Sequence, residues 1–129
     1  MTISGVLKAF ALSLALTALA ACDSAEERAQ KHFESGMLLI QAGDVDRALV
    51  EFRNVFQLNG SHREARLAYA EAERDRGNLR EAYGQYLRLV EQYPDDLDGL
   101  RALSEIATQA GEWKEAERHL TAGLASYPD

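Results

Sequence analysis

The sequence predicts an all-α fold, a solenoid of about three stacked helix–turn–helix units, and three observations predict it. Residues recur at a fixed interval: Gly43, Gly77 and Gly111 stand 34 apart, and Ala48, Ala82 and Ala116 do so in the same register. Apolar side chains within the copies fall at three- and four-residue steps, and no stretch alternates with the period of two that a half-buried strand needs. Helix starts and stops are written at corresponding places along the chain. A period of this length marks a stacked repeat, because a single unit of this size cannot bury its apolar face alone.

The first 21 residues lie outside the repeat. Lys8 is their only charged side chain, and Ala9 to Ala21 is an uncharged run of 13 residues. A membrane-spanning helix needs about 20 apolar residues, so the run fits better as the apolar core of a secretory signal, with Lys8 and the amino terminus as its positive flank. It closes on Leu19-Ala20-Ala21-Cys22, and Cys22 is the only cysteine of the chain. That ending resembles the lipobox of bacterial lipoproteins. The resemblance implies that residues 1–21 are removed and that the Cys22 thiol carries a diacylglyceryl lipid. The protein would then be anchored to a bacterial membrane, facing the periplasm. Two or three acyl chains, at about 0.8 kcal/mol per buried methylene, make such an anchor effectively permanent. Asp23 resembles the inner-membrane retention signal of enteric bacteria, and inner and outer membrane both remain open. The alternatives are an ordinary signal cut after Ala18-Leu19-Ala20, with Cys22 a free thiol, and a retained anchor.

Residues 22–28 lead into the first helix, and the copies are expected over residues 29–62, 63–96 and 97–129. Ser24-Ala25-Glu26-Glu27 and Ser61-His62-Arg63-Glu64 both have the Ser-x-x-Glu form of a capping box, which places helix starts at the first and second copies. From about Arg63 to Arg76, Leu67, Ala70 and Arg74 keep the helical step, and Gly77 ends the helix by taking positive φ. Asn78-Leu79-Arg80-Glu81 also reads like a capping box. The helix it opens carries Leu79, Ala82, Tyr83, Tyr86, Leu87, Leu89 and Val90 as its apolar stripe. Tyr93-Pro94 stops it, since proline lacks an amide and disfavours helix in the residue before it. Tyr93-Pro94-Asp95 returns as Tyr127-Pro128-Asp129. Trp113, Leu120, Leu124 and Tyr127 of the last helix have no polar cap over them, so the solenoid is expected to continue beyond Asp129.

This pattern resembles the tetratricopeptide repeat (TPR) over Ala29 to Asp129. The small residue of the first helix is Gly36, Ala70 and Ser104, the turn glycine is Gly43, Gly77 and Gly111, and the signature alanine is Ala48, Ala82 and Ala116. The following aromatic is Phe52 and Tyr86, with Leu120 departing, and the terminal proline position holds Gly60, Pro94 and Pro128. The early tryptophan is replaced throughout, by His32, Arg66 and Leu100. The resemblance implies a right-handed α-solenoid whose first helices line a concave face that holds a segment of another protein.

Composition and motifs exclude several other functions. Net charge is −7, and −8 once Lys8 is lost, so nothing neutralises a nucleic-acid backbone. A single cysteine forbids an internal disulfide framework or a cysteine-based zinc cage. His32, His62 and His119 have no metal-ligand spacing, and no nucleophile motif or phosphate-binding glycine loop is present. Asp95-Asp96-Leu97-Asp98 lacks the glycine and closing glutamate of a calcium loop and suits a helix N-terminus. No enzymatic activity and no cofactor other than the Cys22 lipid are expected.

By the resemblance, the groove is lined by Phe33, Met37 and Ile40 in the first copy, by Glu64, Leu67, Glu71 and Arg74 in the second, and by Asp98, Arg101, Glu105 and Thr108 in the third. One end is apolar and the other charged. That points to a protein partner with apolar anchors at one end and basic residues toward the third repeat. The carboxylate clamp of chaperone-binding members has no counterpart, because its positions hold Phe33, Met37, Ala68, Asp98 and Ala102. The run Arg47-Ala48-Leu49-Val50-Glu51-Phe52-Arg53-Asn54, with Ala65-Arg66, is similar to the TPR lipoproteins of exosortase and exopolysaccharide systems. These readings describe a lipid-anchored interaction scaffold for an envelope or export machine. The alternative is the front module of a longer regulatory or enzymatic envelope protein.

Overall fold

The computed structural model describes residues 24–126, and within them six helices form three hairpins. Helix α1 (Ala25–Gln41) packs on α2 (Val45–Leu58), α3 (Arg63–Asp75) on α4 (Leu79–Gln92), and α5 (Leu97–Gln109) on α6 (Trp113–Ser126). The described residues contain no strand. The export segment, Cys22 and Tyr127-Pro128-Asp129 lie outside the described residues.

Each hairpin turns on the repeated glycine. Gly43, Gly77 and Gly111 have φ of 78°, 78° and 76°, a conformation that side-chain-bearing residues rarely adopt. In the first turn the Gly43 amide donates to the Ile40 carbonyl and the Asp44 amide to the Leu39 carbonyl, the bonding of a Schellman motif. The same pair of bonds recurs at Gly77 and Asn78, and at Gly111 and Glu112. The turn therefore satisfies carbonyls of one helix while delivering the chain to the start of the next.

The small residues sit where the helices cross. Ala48, Ala82 and Ala116 are buried, as are Gly36, Ala70 and Ser104. A Cβ added to Gly36 would stand 2.5 Å from Cε1 of the buried Phe52 ring, so α1 and α2 meet with no room for one more carbon. Two apolar clusters follow, and both span a repeat boundary. The first joins Ala48, Leu49, Phe52 and Val55 to Ala65, Tyr69 and Ala72 of α3. The second joins Ala70 of α3, with Ala82, Tyr86 and Leu89, to Ala102, Leu103 and Ile106 of α5. Helix α3 thus has two apolar faces, one for each neighbour.

Helix starts differ from the sequence reading at both helices of the second hairpin. Helix α1 begins at Ala25, inside the 22–28 lead-in, on the Ser24–Glu27 capping box that the sequence marks, which forms reciprocally at 3.1 and 2.7 Å. Helix α3 is capped by His62, not Ser61. His62 Nδ1 accepts the Ala65 amide at 3.3 Å, whereas Ser61 hydrogen-bonds Asn59 Oδ1. His62 is the repeat equivalent of Asp96, which caps α5 through the Gly99 amide at 2.9 Å. Asn78 precedes α4 but makes no side-chain cap. Its Nδ2 donates to Glu73 Oε2 instead, and Glu81 accepts from Gln85.

The missing tryptophans are replaced by pairs 19 residues apart. His32 Nδ1 hydrogen-bonds Glu51 Oε2 at 2.6 Å, and Arg66 Nη1 donates to Gln85 Oε1 at 2.9 Å. Arg66 also donates to the Gly60 carbonyl at 2.6 Å and lies over the Phe56 ring at 4.6 Å from its centroid. In the third copy the corresponding residues are Leu100 and His119, which line one hollow.

Candidate peptide-binding groove

The candidate groove is built from the exposed faces of α1, α3 and α5. At its apolar end Met37 and Ile40 of α1 and Glu71 of α3 border one cavity of about 340 Å3. Five further residues line it: Val45 of α2, Ala68, Ala72 and Asp75 of α3, and Arg76, which closes the wall. Arg76 is held there by Asp46 at 3.0 Å. Val45 escaped the sequence reading, although its repeat equivalents Leu79 and Trp113 are also apolar, a signal that could have identified it.

Phe33 and Leu67 lean away from this cavity. Phe33 is half-buried, with its ring centroid 6.2 Å from that of Phe52 and 5.0 Å from that of His62, so it seals the junction between the first two repeats. Leu67 packs against the second apolar cluster. Both are half-buried and pack on an apolar cluster, as Met37 and Ile40 also do. Glu64 projects from the first turn of α3, its carboxylate 3.5 Å from His62 Nδ1, and borders a separate polar cavity with Tyr93 and Asn59.

At the charged end the acids largely face cations of neighbouring repeats. Arg63 reaches from α3 to α5, where Nε contacts the buried Asp96 carboxylate at 2.5 Å and Nη2 contacts Asp98 at 3.1 Å. Arg74 approaches Glu105 at 3.8 Å, and Arg101 lies 3.6 Å from Asp98 and 4.0 Å from Glu105. Thr108 donates to the Ser104 carbonyl within α5. The hydrogen bonds to Asp96 and its charge hold the Arg63 guanidinium above its usual value, against the opposing effect of burial.

Glu71 is the acid these pairs do not absorb. Partial desolvation pushes its carboxyl above the ordinary range. Arg74 and Arg101 pull it back, while Asp75 and Asp98 raise it further. Beneath it lies the Tyr86 phenol, buried, pushed up to about 12 chiefly by desolvation, and without a hydrogen-bond partner for its oxygen. A cation arriving above Glu71 would meet a carboxylate whose charge is under-compensated. The face can therefore take an apolar side chain at Met37–Ile40 and a basic one close beside it at Glu71.

Stacked helical hairpins with glycine turns, small crossing residues and an open first-helix face define a helical-repeat interaction module. Comparison with protein families makes this specific: the tetratricopeptide repeat matches residues 39–106, and the chain belongs to that family. The match begins within α1 and ends within α5, so it takes in every residue that lines the cavity except Met37, and both repeat boundaries. No curated protein matches the chain. Tetratricopeptide repeats mediate binding to other proteins or peptides and are typically non-catalytic scaffolds.

Proposed function

We propose that the chain is an exported scaffold, anchored to a bacterial membrane by lipid on Cys22, that holds a segment of another protein along its first-helix face. The machine it serves is an envelope or export assembly of the exosortase or exopolysaccharide type. The anchor reading is supported by Leu19-Ala20-Ala21-Cys22 directly after an uncharged run. The binding reading rests on one observation, the cavity bordered together by Met37, Ile40 and Glu71. Its partner carries an apolar anchor with lysine or arginine next to it.

Two experiments test the two halves. Cys22→Ser abolishes incorporation of labelled palmitate while the helical circular-dichroism signal is kept, and equal labelling of both chains would sink the anchor. For the groove, a partner recovered by pull-down with the repeats is studied by binding kinetics at two ionic strengths. Glu71→Lys with Glu105→Lys slows association and flattens its salt dependence, because charge acts mainly on encounter. Met37→Ala speeds dissociation with the salt response unchanged. Should both bind as wild type while Arg53→Ala or Arg88→Ala on the second helices destroys binding, the opposite face is the working surface.

A further inference from the structure

The two repeat boundaries differ near their turns. At the first boundary the space between α2, the end of α3 and the start of α4 is filled from within. Leu49 and Glu73 are both buried there, and Asn78 donates to the Glu73 carboxylate at 3.0 Å. The residues 34 positions on are Tyr83, Ala107 and Glu112. Alanine in place of glutamate removes the filling side chain, and Ala110 in place of Arg76 removes another. A hollow of about 310 Å3 results between α4, the end of α5 and the start of α6. Tyr83, Ile106, Ala107 and Ala110 give it a mainly apolar surface, and Glu112 and Glu115 complete its lining.

Charge around this hollow is unbalanced. Glu115 is held by Arg118 at 2.5 Å, with the His119 ring 3.9 Å away. Glu112 has no ion pair and no side-chain hydrogen bond among the described residues. Both carboxylates act on the Tyr83 phenol, which is pushed up first by desolvation and then by Glu115, with Arg118 opposing and Glu112 adding to the rise. An apolar hollow beside an unpaired carboxylate suits a side chain with a hydrocarbon stem and a cationic head, since the stem leaves water while the charge stays at the rim. Arginine meets this better than lysine, because its flat guanidinium can lie against an aromatic ring and bond a carboxylate at the same time.

We infer that this hollow receives an arginine side chain of a partner protein, its stem on Ile106, Ala107 and Ala110 and its guanidinium at Glu112. All the walls come from the second and third hairpins, so the hollow is formed entirely within the described residues. Stacking of a further unit does not close such a place. The third hairpin stacks on the second, yet Arg76 and Asn78, the counterparts of Ala110 and Glu112, stay exposed at the first boundary. The hollow shares no residue with the cavity of Met37, Ile40 and Glu71, so either reading can fail without the other.

The test titrates the isotopically labelled 129-residue chain with two pentapeptides, each a single central residue flanked by glycines. One carries arginine and the other citrulline, which keeps the shape of arginine and lacks its charge. In nuclear magnetic resonance spectra the arginine peptide shifts the amides of Ala107, Ala110 and Glu112 to saturation. It binds about fivefold more tightly than the citrulline peptide, the scale of one exposed ion pair. Glu112→Gln removes that difference. Ala107→Glu combined with Glu112→Asn installs the pair that fills the first boundary, and it abolishes binding of both peptides while the thermal midpoint is maintained. Equal affinities, no saturable shift at these residues, or a preference for arginine that survives Glu112→Gln would overturn the inference. A photo-crosslinking benzoylphenylalanine in place of Ala110, carried by the full-length protein in its own host, identifies the source of the arginine. Crosslinks to an arginine-bearing segment of another protein support the inference, and crosslinks to the same polypeptide would overturn it.

Discussion

Gly36→Ala sets two effects of known sign against each other at the crossing of α1 and α2. Helix propensity alone favours alanine over a mid-helix glycine by about 0.8–1 kcal/mol. The structure opposes it. The new Cβ would lie 2.5 Å from Cε1 and 2.9 Å from Cδ1 of Phe52, closer than real Cβ contacts come. Phe52 is fully buried and packed against Phe33, so its ring has nowhere to swing. Overpacking of this kind costs about 1–3 kcal/mol, which leaves a net loss of about 1 kcal/mol. That lowers the midpoint of a domain this size by about 4–8 °C. Gly84→Ala is the internal control, since Gly84 lies within α4 and an added Cβ there meets nothing within 4 Å. It stabilises by the propensity gain alone. Thermal melts followed by circular dichroism read both variants. If Gly36→Ala melts higher, as Gly84→Ala does, the crossing has slack and the packing account of the small residues is wrong.

Ala82→Leu adds three carbons at the fully buried second crossing and costs about 1–3 kcal/mol, read in the same melts; an unchanged midpoint would mean the alanine register is misread. Gln85→Leu removes the acceptor of Arg66 Nη1, leaving a buried donor unpaired, and lowers stability in urea titrations by about 1–3 kcal/mol, whereas no loss would mean that water replaces it. His119, which is buried and hydrogen-bonded to Tyr83 at 3.1 Å, has its imidazole lowered by desolvation first and by Arg118 next, with Glu115 opposing. The unfolded chain therefore binds the proton first: this contribution to stability is complete above an unfolded value of 6.5 and is lost as pH falls toward the folded one. Melting between about pH 7.5 and 5.5 shows a shallower loss for His119→Gln than for wild type, and identical slopes would refute it.

The period, the turn glycines and the crossing residues were legible in the sequence because each answers a local geometric demand that recurs at one spacing. A positive φ needs glycine, and a close crossing needs a small side chain, wherever the unit occurs. Features that depend on how one repeat leans on the next were less legible. Ser-x-x-Glu at Ser61 is a sound local signal, but the repeat register and the packing of Phe33 on His62 put the cap one residue later. Asn78 was read as a cap because nothing local shows that Glu73 will capture its amide. Of the residues assigned to the groove, Met37, Ile40 and Glu71 share a cavity. Phe33 and Leu67 lie outside that cavity, half-buried as Met37 and Ile40 are, and no local signal shows that Arg63 and Arg74 reach across to the acids of the third repeat.

The absent tryptophans explain why the third repeat differs from the first two. In the first and second copies the tryptophan position is polar, and its partner 19 residues on is polar too: His32 with Glu51, and Arg66 with Gln85. Paired in this way, His32 and Arg66 each find a hydrogen-bond partner within their own hairpin. A buried pair of this sort contributes little net stability but penalises a slipped register, because any shift leaves a donor or acceptor stranded. Arg66 illustrates the cost, since its Nε is buried without a partner even in the correct register. In the third copy Leu100 takes the position and cannot engage His119, which turns to Tyr83 of the preceding hairpin instead. The space such a pair would help to fill joins the gap left by Gly123, and both open into one hollow beside Leu120 and Leu124. Two departures from the repeat therefore act in the same direction, both enlarging one hollow along the face of the second helix that the first two hairpins bury.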